Sequence, residues 1–406
     1  MNSSNHFELG IIGSGVAGSF ALQKILKNNK NMKIAVFDAG RPPLKRRHQL
    51  YGFLGALPGS DGKLYLNDLT KVANIAGSKK TITANKWVME QLSDITNMKM
   101  VKDKRPSITA EKRLRKYGFD IELNNYYQLY PKDIHSFSRA IVSELEQNNN
   151  TLCSFDNEVF KVLKHKNYFS IITSAGEFQC KKVLISVGRS GWRWVSELFS
   201  NFGIIENNDV AKFGIRVEMP STYMKEFNQS NCTLLHNLVE VGPLSWNGTI
   251  IPEDHIDLAI TSFRSNEPRW SSDKVSFNVL AEKHFSERGY QQTDRIGKLT
   301  FILANDRIMK EKLSSIMNKR SKISIIPEYE FLLQELEELN EVIPDLLNRG
   351  SFYAPCLSPM APKINLKSNF ESDVVGMFVA GESAGVPGIL GAMVSGSIVA
   401  DAISKG

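Results

Sequence analysis

The first residues that could contribute to ligand binding or catalysis form a glycine-rich turn near the amino terminus. Gly13-Ser14-Gly15-Val16-Ala17-Gly18 matches G-x-G-x-x-G and joins an apolar run, Phe7–Ile12, to an amphipathic stretch, Ala17–Leu26. In this pattern the first glycine permits a tight turn, the second lets the backbone approach a pyrophosphate, and the third lets the helix pack on the sheet. The amino terminus of that helix offers partial positive charge to phosphates. The spacing therefore predicts a nucleotide site, and the alternative is a purely structural turn.

An acidic residue follows at the distance that a nucleotide site requires. The segment "MKIAVFDAG" is typical of a buried strand, and it brings Asp38 to the strand's end. A carboxylate there accepts hydrogen bonds from the adenosine ribose hydroxyls and disfavours a 2′-phosphate. The order strand, glycine turn, helix, strand, acid is the opening βαβ unit of a dinucleotide-binding fold.

The carboxyl-terminal stretch "VGMFVAGESAGVPGILGAM" is apolar and carries one charge, Glu382. The eighteen residues Ser383–Ala400 are uncharged, close to the ~20 that span a membrane. Gly385-Val386-Pro387-Gly388 interrupts any continuous helix, however, and about 14 residues are too few to span. We expect a strand over Val374–Ala380, no membrane span, and a buried helix over Ile389–Ile403, with proline in its first turn.

Length and composition indicate a globular protein of two or three domains, with 406 residues, 42% hydrophobic and 23% charged. The four cysteines lie far apart, which argues against disulfides, zinc and iron–sulfur clusters and fits a reducing cytoplasm. No amino-terminal signal peptide is visible. Further helices are expected near Asn85–Met100, Thr109–Tyr117, within "DIHSFSRAIVSELEQNN" and over Glu328–Ile343, and further strands at Val183–Val187, Phe213–Met219 and Leu258–Phe263.

Positive charge is concentrated in one part of the chain. The net charge is +7, and the segment from Lys71 to Asp120 holds twelve Lys and Arg against five Asp and Glu. This segment is either a solvated helical surface or a surface for an anionic partner: a cofactor pyrophosphate, an acidic substrate or nucleic acid.

Both ends of the chain resemble the FAD-binding halves of the glutathione-reductase-type flavoprotein superfamily. "GFLGALPGSDGKL" (52–64) is similar to the glycine-rich stretch of a poorly characterised group of bacterial FAD-dependent dehydrogenases. "ISVGRSGWRW" (185–194) and "FGIRVE" (213–218) resemble the A-x-G-x-S-G strand end and G-x-R-x-E strand of that group. The family's cysteine-bearing segment has no counterpart here, so the resemblance implies the cofactor, FAD, and leaves the substrate unspecified.

The resemblance also implies a set of cofactor contacts in glycine-rich turns and at strand ends. Around the adenosine and pyrophosphate these are Gly13, Ser14, Gly15, Val16, Ala17, Gly18, Asp38, Ala39, Gly40, Arg41, Arg46, Val159 and Gly188. Around the ribityl chain and the isoalloxazine ring these are Ser60, Asp61, Lys63, Gly381, Glu382, Gly388, Ile389 and Leu390. The amino terminus of the last helix would stabilise negative charge at flavin N1–C2=O on reduction.

The pattern and the resemblance together predict an α/β fold: a Rossmann-like FAD-binding domain of discontinuous segments (1–70, 131–219 and 352–406) and a mixed-sheet α+β substrate domain (220–351). The stretch 71–130 matches nothing in the family and is expected to be a basic helical insertion. The expected reaction is hydride transfer between a small-molecule substrate and flavin N5, and an anionic substrate is one option. Lys63, Arg264 and Tyr353 are the catalytic candidates. Two alternatives stay open: a flavoenzyme acting on nucleic acid or a modified base through the basic region (71–116), and a non-catalytic flavin-binding protein. A second G-x-G-x-x-G is absent from the sequence, so the electron acceptor is unassigned.

Overall fold

The structure is a computed structural model that describes residues 5–45, 52–206, 209–254, 258–265, 268–286, 289–358 and 363–405. The chain divides into two compact units. Unit 1 consists of Met1–Lys99, Tyr127–Asn207 and Ala361–Gly406, and unit 2 consists of Met100–Tyr126 and Asn208–Met360.

The described residues contain the following strands and helices. The strands are β1 (His6–Ile12), β2 (Ile34–Phe37), β3 (Lys63–Tyr65), β4 (Lys99–Val101), β5 (Asp120–Glu122), β6 (Tyr126–Gln128), β7 (Thr151–Ser154), β8 (Val159–Lys164), β9 (Phe169–Thr173), β10 (Gly176–Ile185), β11 (Val210–Pro220), β12 (Thr233–His236), β13 (Val239–Val241), β14 (Ser245–Trp246), β15 (Thr249–Asp254), β16 (Ala259–Arg264), β17 (Lys274–His284), β18 (Met309–Lys312), β19 (Ser351–Ser358) and β20 (Met377–Val379). The helices are α1 (Val16–Asn28), α2 (Asp68–Ala76), α3 (Ser78–Ser93), α4 (Ile108–Lys116), α5 (Pro131–Glu146), α6 (Trp192–Asn201), α7 (Gly289–Leu303), α8 (Leu313–Met317), α9 (Phe331–Val342), α10 (Leu346–Arg349) and α11 (Ile389–Lys405).

Unit 1 is built on a sheet with the order β7-β2-β1-β10-β9-β8, and β20 pairs with β10. The strands β7, β2, β1, β10 and β20 pair in parallel. The first half of β10 instead pairs antiparallel with β9, which pairs antiparallel with β8. The apolar runs in β1 and β2 are buried, as a parallel sheet covered on both faces requires. Unit 1 is thus a Rossmann-like α/β fold with a three-stranded meander.

Two helices from opposite ends of the chain pack together in unit 1. A Cβ on Gly396 of α11 would overlap the backbone of Ala17 in α1, so glycine sets how closely the helices approach. Farther along the same contact, Lys24 Nζ lies 2.6 Å from Asp401 Oδ2 and 2.9 Å from Ser397 Oγ. These contacts place the glycine turn and the carboxyl-terminal helix in one layer.

Unit 2 contains an antiparallel sheet with the order β18-β19-β11-β17-β13-β12-β5, and β14 pairs with β17. The long strand β11 has two different faces because successive side chains alternate. Phe213, Ile215 and Val217 are fully buried in the core of unit 2. The alternate positions hold Arg216 and Glu218, so the opposite face of the strand is polar.

The structure divides the chain differently from the domains expected from the sequence. Residues 71–99 fall in unit 1 because α2 and α3 pack against α11, and residues 100–126 fall in unit 2. Residues 210–219 belong to unit 2 because β11 pairs with β17 and β19. The helix expected over Asn85–Met100 is α3, which begins and ends earlier. In the described part of the chain, the longest apolar helices are too short or too polar to cross a membrane.

Candidate functional site

The glycine turn before α1 has the geometry of an anion-binding terminus. Gly13 has a φ of 92°, and a Cβ there would lie 2.8 Å from the Ser186 carbonyl oxygen. At Gly15 the backbone is relaxed, and a Cβ would meet no atom closer than 3.8 Å. Gly15 caps α1 without a side-chain hydrogen bond, and the first turn holds no acidic residue. The turn therefore presents backbone N–H groups of the kind that bind a phosphate, with Ser186 and Gly55 in van der Waals range of a Cβ at Gly15.

Asp38 ties the end of β2 to the glycine turn. Its Oδ2 accepts hydrogen bonds from the backbone N–H and the hydroxyl of Ser14, both at 2.7 Å, and its Oδ1 accepts one from the Gly40 N–H at 2.7 Å. A carboxylate has about four acceptor positions, so these bonds leave one on Oδ1 for a ribose hydroxyl. Asp38 thus fits the predicted ribose role and also fixes the turn.

The other residues predicted around the adenosine lie in the same unit. Val159 is buried at the start of β8, and Arg41 is exposed after β2. Gly188 follows β10, and a Cβ there would meet no atom within 4 Å. Ala39 lies between two residues of the Asp38–Gly40 turn. Arg46 lies outside the described residues.

The carboxyl-terminal turn meets the glycine turn. Gly381 has a φ of 65°, and a Cβ there would lie 2.9 Å from Ala17 Cβ. The neighbouring Glu382 carboxylate lies 3.6 Å from Nε of Arg189. The two glycine-rich ends of the chain thus converge beside the first turn of α1. The sequence analysis did not select Arg189, and its only signal was its position directly after Gly188 at the end of β10.

The predicted flavin-side residues between 60 and 63 form a compact turn. The Ser60 hydroxyl donates to the Leu57 carbonyl oxygen at 2.9 Å, and the Gly62 N–H donates to Ser60 Oγ at 3.1 Å. Lys63 is buried, and its Nζ lies 3.3 Å from Asp61 Oδ2. Lys63 is therefore a cation paired with Asp61, positioned by β3.

An unpredicted carboxylate lies at the amino terminus of α11. The Asp68 carboxylate lies beside the backbone of Gly388 and Gly391, close to the N–H groups of Leu390 and Gly391. A Cβ on Gly388, whose φ is 84°, would overlap the Asp68 carboxyl group. Burial raises the pKa of Asp68 to about 7, and the two N–H donors oppose that rise. Of the predicted trio Gly388, Ile389 and Leu390, the first therefore has the Asp68 carboxylate packed against its backbone.

In unit 2, the polar face of the sheet carries a row of hydrogen-bonded side chains, formed by Arg216, Ser276, Asn278, Glu218, Lys274 and Tyr353. Arg216 Nε donates to Ser276 Oγ at 2.8 Å, and Nη1 donates to Asn278 Oδ1 at 3.1 Å. The Phe263 ring lies 5.1 Å from the guanidinium carbon of Arg216. Sequence reasoning passed over Arg216, although a charged residue alternating with buried apolar ones in "FGIRVE" was a usable signal.

The two catalytic candidates in unit 2 occupy different environments. The Tyr353 hydroxyl donates to Glu218 Oε2 at 3.0 Å, and Lys274 Nζ lies 2.8 Å from the same oxygen. Burial, with the Glu218 charge second, raises the pKa of Tyr353 to about 12, so its phenol stays protonated at neutral pH. Arg264 follows Phe263 and points to the other side of β16, where its guanidinium lies 5.7 Å from the Trp270 ring. The structure therefore places Tyr353, and not Arg264, in the polar row.

The described residues include other titratable groups outside this row, among them three cysteines and one histidine cluster. Burial raises the pKa of Cys180 and Cys232 to about 12, and that of Cys153 to about 11, which disfavours their thiolates. His236 lies between Glu335 and Glu338, 2.9 Å from one carboxylate through Nδ1 and 3.0 Å from the other through Nε2. The ligand atoms of these three side chains lie within 4.8 Å of one another.

Comparison with known proteins gave matches among solved structures only. None of the family models matches the chain, and neither does any curated protein. A glycine oxidase from Geobacillus kaustophilus aligns over 99% of this chain and 95% of its own, with 13% identity and a TM-score of 0.46. The p-nitrophenol 4-monooxygenase PnpA from Pseudomonas putida aligns over 99% and 79%, with 11% identity and a TM-score of 0.43. CtdE in complex with FAD aligns over 98% and 85%, with 11% identity and a TM-score of 0.43. At these TM-scores, the assignment of function depends on the contacts of this chain.

Proposed function

We propose that the protein is an FAD-dependent oxidoreductase that transfers a hydride between a small-molecule substrate and flavin N5. The observation that supports this most is the convergence of both glycine-rich ends in unit 1. The amino terminus of α1, which has no side-chain cap and no acidic residue in its first turn, suits a pyrophosphate, and the Gly381–Glu382 turn lies against Ala17 beside it. A site assembled from both ends of the chain suits a two-part cofactor better than a mononucleotide.

The residues of unit 1 have separate proposed roles toward the cofactor. The α1 terminus with Gly15 binds the pyrophosphate, and Asp38 accepts a ribose hydroxyl through its remaining acceptor position. Glu382, held by Arg189, faces the ribityl or phosphate region. FAD, when bound, supplies the hydride-accepting N5, and the protein supplies position and electrostatics. Lys63, paired with Asp61, contributes a buried ion pair on the flavin side.

For the substrate we propose a small molecule that carries negative charge. In the row on the polar face of unit 2, Arg216 and Lys274 outnumber the single carboxylate Glu218, so the net charge there favours an anion. Tyr353 serves as a hydrogen-bond donor and not as a general base, because its pKa is raised to about 12. Arg264 stays a candidate for anion binding on the other side of β16.

Two measurements test this proposal. One identifies the cofactor that the protein releases, and the other measures FAD binding when a side chain fills the space at Gly15. The purified protein is expected to be yellow and to release FAD on denaturation, which mass spectrometry identifies. Gly15→Val should abolish FAD binding because its side chain fills the space of the pyrophosphate. A Cβ at Gly15 meets no protein atom closer than 3.8 Å, so the variant should keep the wild-type circular dichroism spectrum. Release of FMN or NAD alone, or equal FAD occupancy in a folded Gly15→Val variant, contradicts the proposal.

A further inference from the structure

The amino terminus of α11 holds a carboxylate from a different helix. Asp68 is the first residue of α2, and its carboxylate lies close to the N–H groups of Leu390 and Gly391. Gly388 leaves room for that carboxylate, because a Cβ there would overlap it. An acidic side chain that belongs to the fold itself thus lies beside the positive end of α11.

The charge state of Asp68 depends on few neighbours. Burial raises the pKa of this carboxyl group to about 7, and the Leu390 and Gly391 N–H groups are the causes that oppose the rise. No charged side chain is among those causes. The elements around Asp68 do carry charged residues. These are Lys71 on α2, Lys63 on β3 with its partner Asp61, Lys79, Lys80, Lys86 and Glu90 on α3, and Asp401 and Lys405 on α11. Asp68 is therefore poised to respond to a new charge placed at the α11 terminus.

We propose that Asp68 takes up a proton when a flavin bound at the α11 terminus is reduced, and so couples the reduction potential to pH. This inference rests on the proposed function, because it requires the FAD ring at Gly388, Ile389 and Leu390, where the family resemblance puts its pyrimidine end. Asp68 acts here on the charge of the ring and has no part in transferring the hydride.

The proton count follows from charge balance. A two-electron reductant, dithionite in the test or an organic hydride donor in the reaction, delivers two electrons, and N5 gains one proton. The ring then carries one negative charge near N1–C2=O. A like charge disfavours an ionised carboxylate, so Asp68 gains a second proton from solvent. Above about pH 7, where Asp68 is ionised beside the oxidised flavin, two electrons are accompanied by two protons. Below that pH Asp68 is protonated in both states and adds no proton.

The test is a potentiometric titration of the FAD-loaded protein between about pH 6 and about pH 9 with dithionite and mediator dyes. For a two-electron couple, one additional proton steepens the potential by about 30 mV per pH unit. Wild type should show this steeper slope above about pH 7 until the reduced-state pKa of Asp68 is passed. In Asp68→Asn the steeper window should vanish, while its potential should match that of wild type near pH 6. Asp94→Asn removes the same charge from an exposed position on unit 1 and should behave as wild type.

Two outcomes overturn the inference while leaving the proposed function intact. One is a wild-type slope without a steeper window above about pH 7, which requires no variant and is informative even if Asp68→Asn does not fold. The other is an FAD-loaded Asp68→Asn with the wild-type slope, which would assign the proton to the flavin itself. A protein that contains no FAD would overturn both proposals together.

Discussion

At the scale of single residues, Asp38 shows how one carboxylate serves the fold and the proposed ligand. The sequence predicted only a ribose partner at the end of β2. In the structure, three hydrogen bonds from Ser14 and Gly40 already hold this carboxylate. It therefore fixes the turn whose N–H groups would bind the pyrophosphate, so its loss should weaken the site in two ways.

Asp38→Ala should weaken FAD binding by about 1.5–3 kcal/mol, the range for a lost charge-assisted hydrogen bond. That is roughly 10- to 150-fold in dissociation constant. Ser14→Ala removes one of the three bonds to Asp38 and keeps the backbone N–H, so its effect should be smaller. Fluorescence titration of apoprotein with FAD measures both, and the exposed-site variant Asp94→Ala is the control. Unchanged affinity in Asp38→Ala would remove this residue from the site.

Sequence reasoning selected residues inside recognisable motifs and missed those that join the motifs through space. Arg189 pairs with Glu382, and Asp68 packs against the start of α11, across long chain separations. Asp68 follows the glycine-rich stretch at 52–64 but matches no pattern there. Its role depends on the packing of α2 against α11, which local sequence does not encode.

At the scale of elements, the contact between α1 and α11 brings the two ends of the site together. The pattern of β1, glycine turn, α1 and β2 was predictable because its glycines and apolar runs follow strict local rules. The strand β20 and the buried helix α11 were predictable for the same reason. The boundaries of α3 were not, because few capping signals mark them.

Gly396→Ala should destabilise unit 1, although alanine is intrinsically better in a helix by about 1 kcal/mol. The added Cβ would overlap the Ala17 backbone, and overpacking of this kind typically costs about 1–3 kcal/mol. We expect a net loss in the free energy of unfolding, measured by urea denaturation. Gly188→Ala is the matched control, because its φ is −78° and its Cβ would enter open space. A Gly396→Ala variant as stable as that control would show that the helices can move apart at no cost.

At the scale of the whole molecule, the basic segment does not form the separate unit that the sequence had suggested. The basic segment from Lys71 to Asp120 is divided between the two units. In unit 2, Arg113 pairs with Glu226, and Arg105 Nε lies 2.6 Å from Glu111 Oε1. Ion pairing therefore neutralises part of the charge that suggested a nucleic-acid partner, which composition alone could not reveal.

The remaining exposed cations on α4 allow a direct test of that partner. Lys112, Arg115 and Lys116 are exposed, and replacing all three by Gln should leave flavin reduction and stability nearly unchanged. Filter binding of DNA and RNA at two salt concentrations provides the comparison, because each lost phosphate contact lowers the salt slope by about 0.9 logarithmic units. We expect weak binding that is the same in wild type and variant, since three solvated charges on one short helix make a small electrostatic footprint. Tight wild-type binding that weakens steeply with salt, and is lost in the triple variant, would instead establish a flavoprotein that acts on nucleic acid.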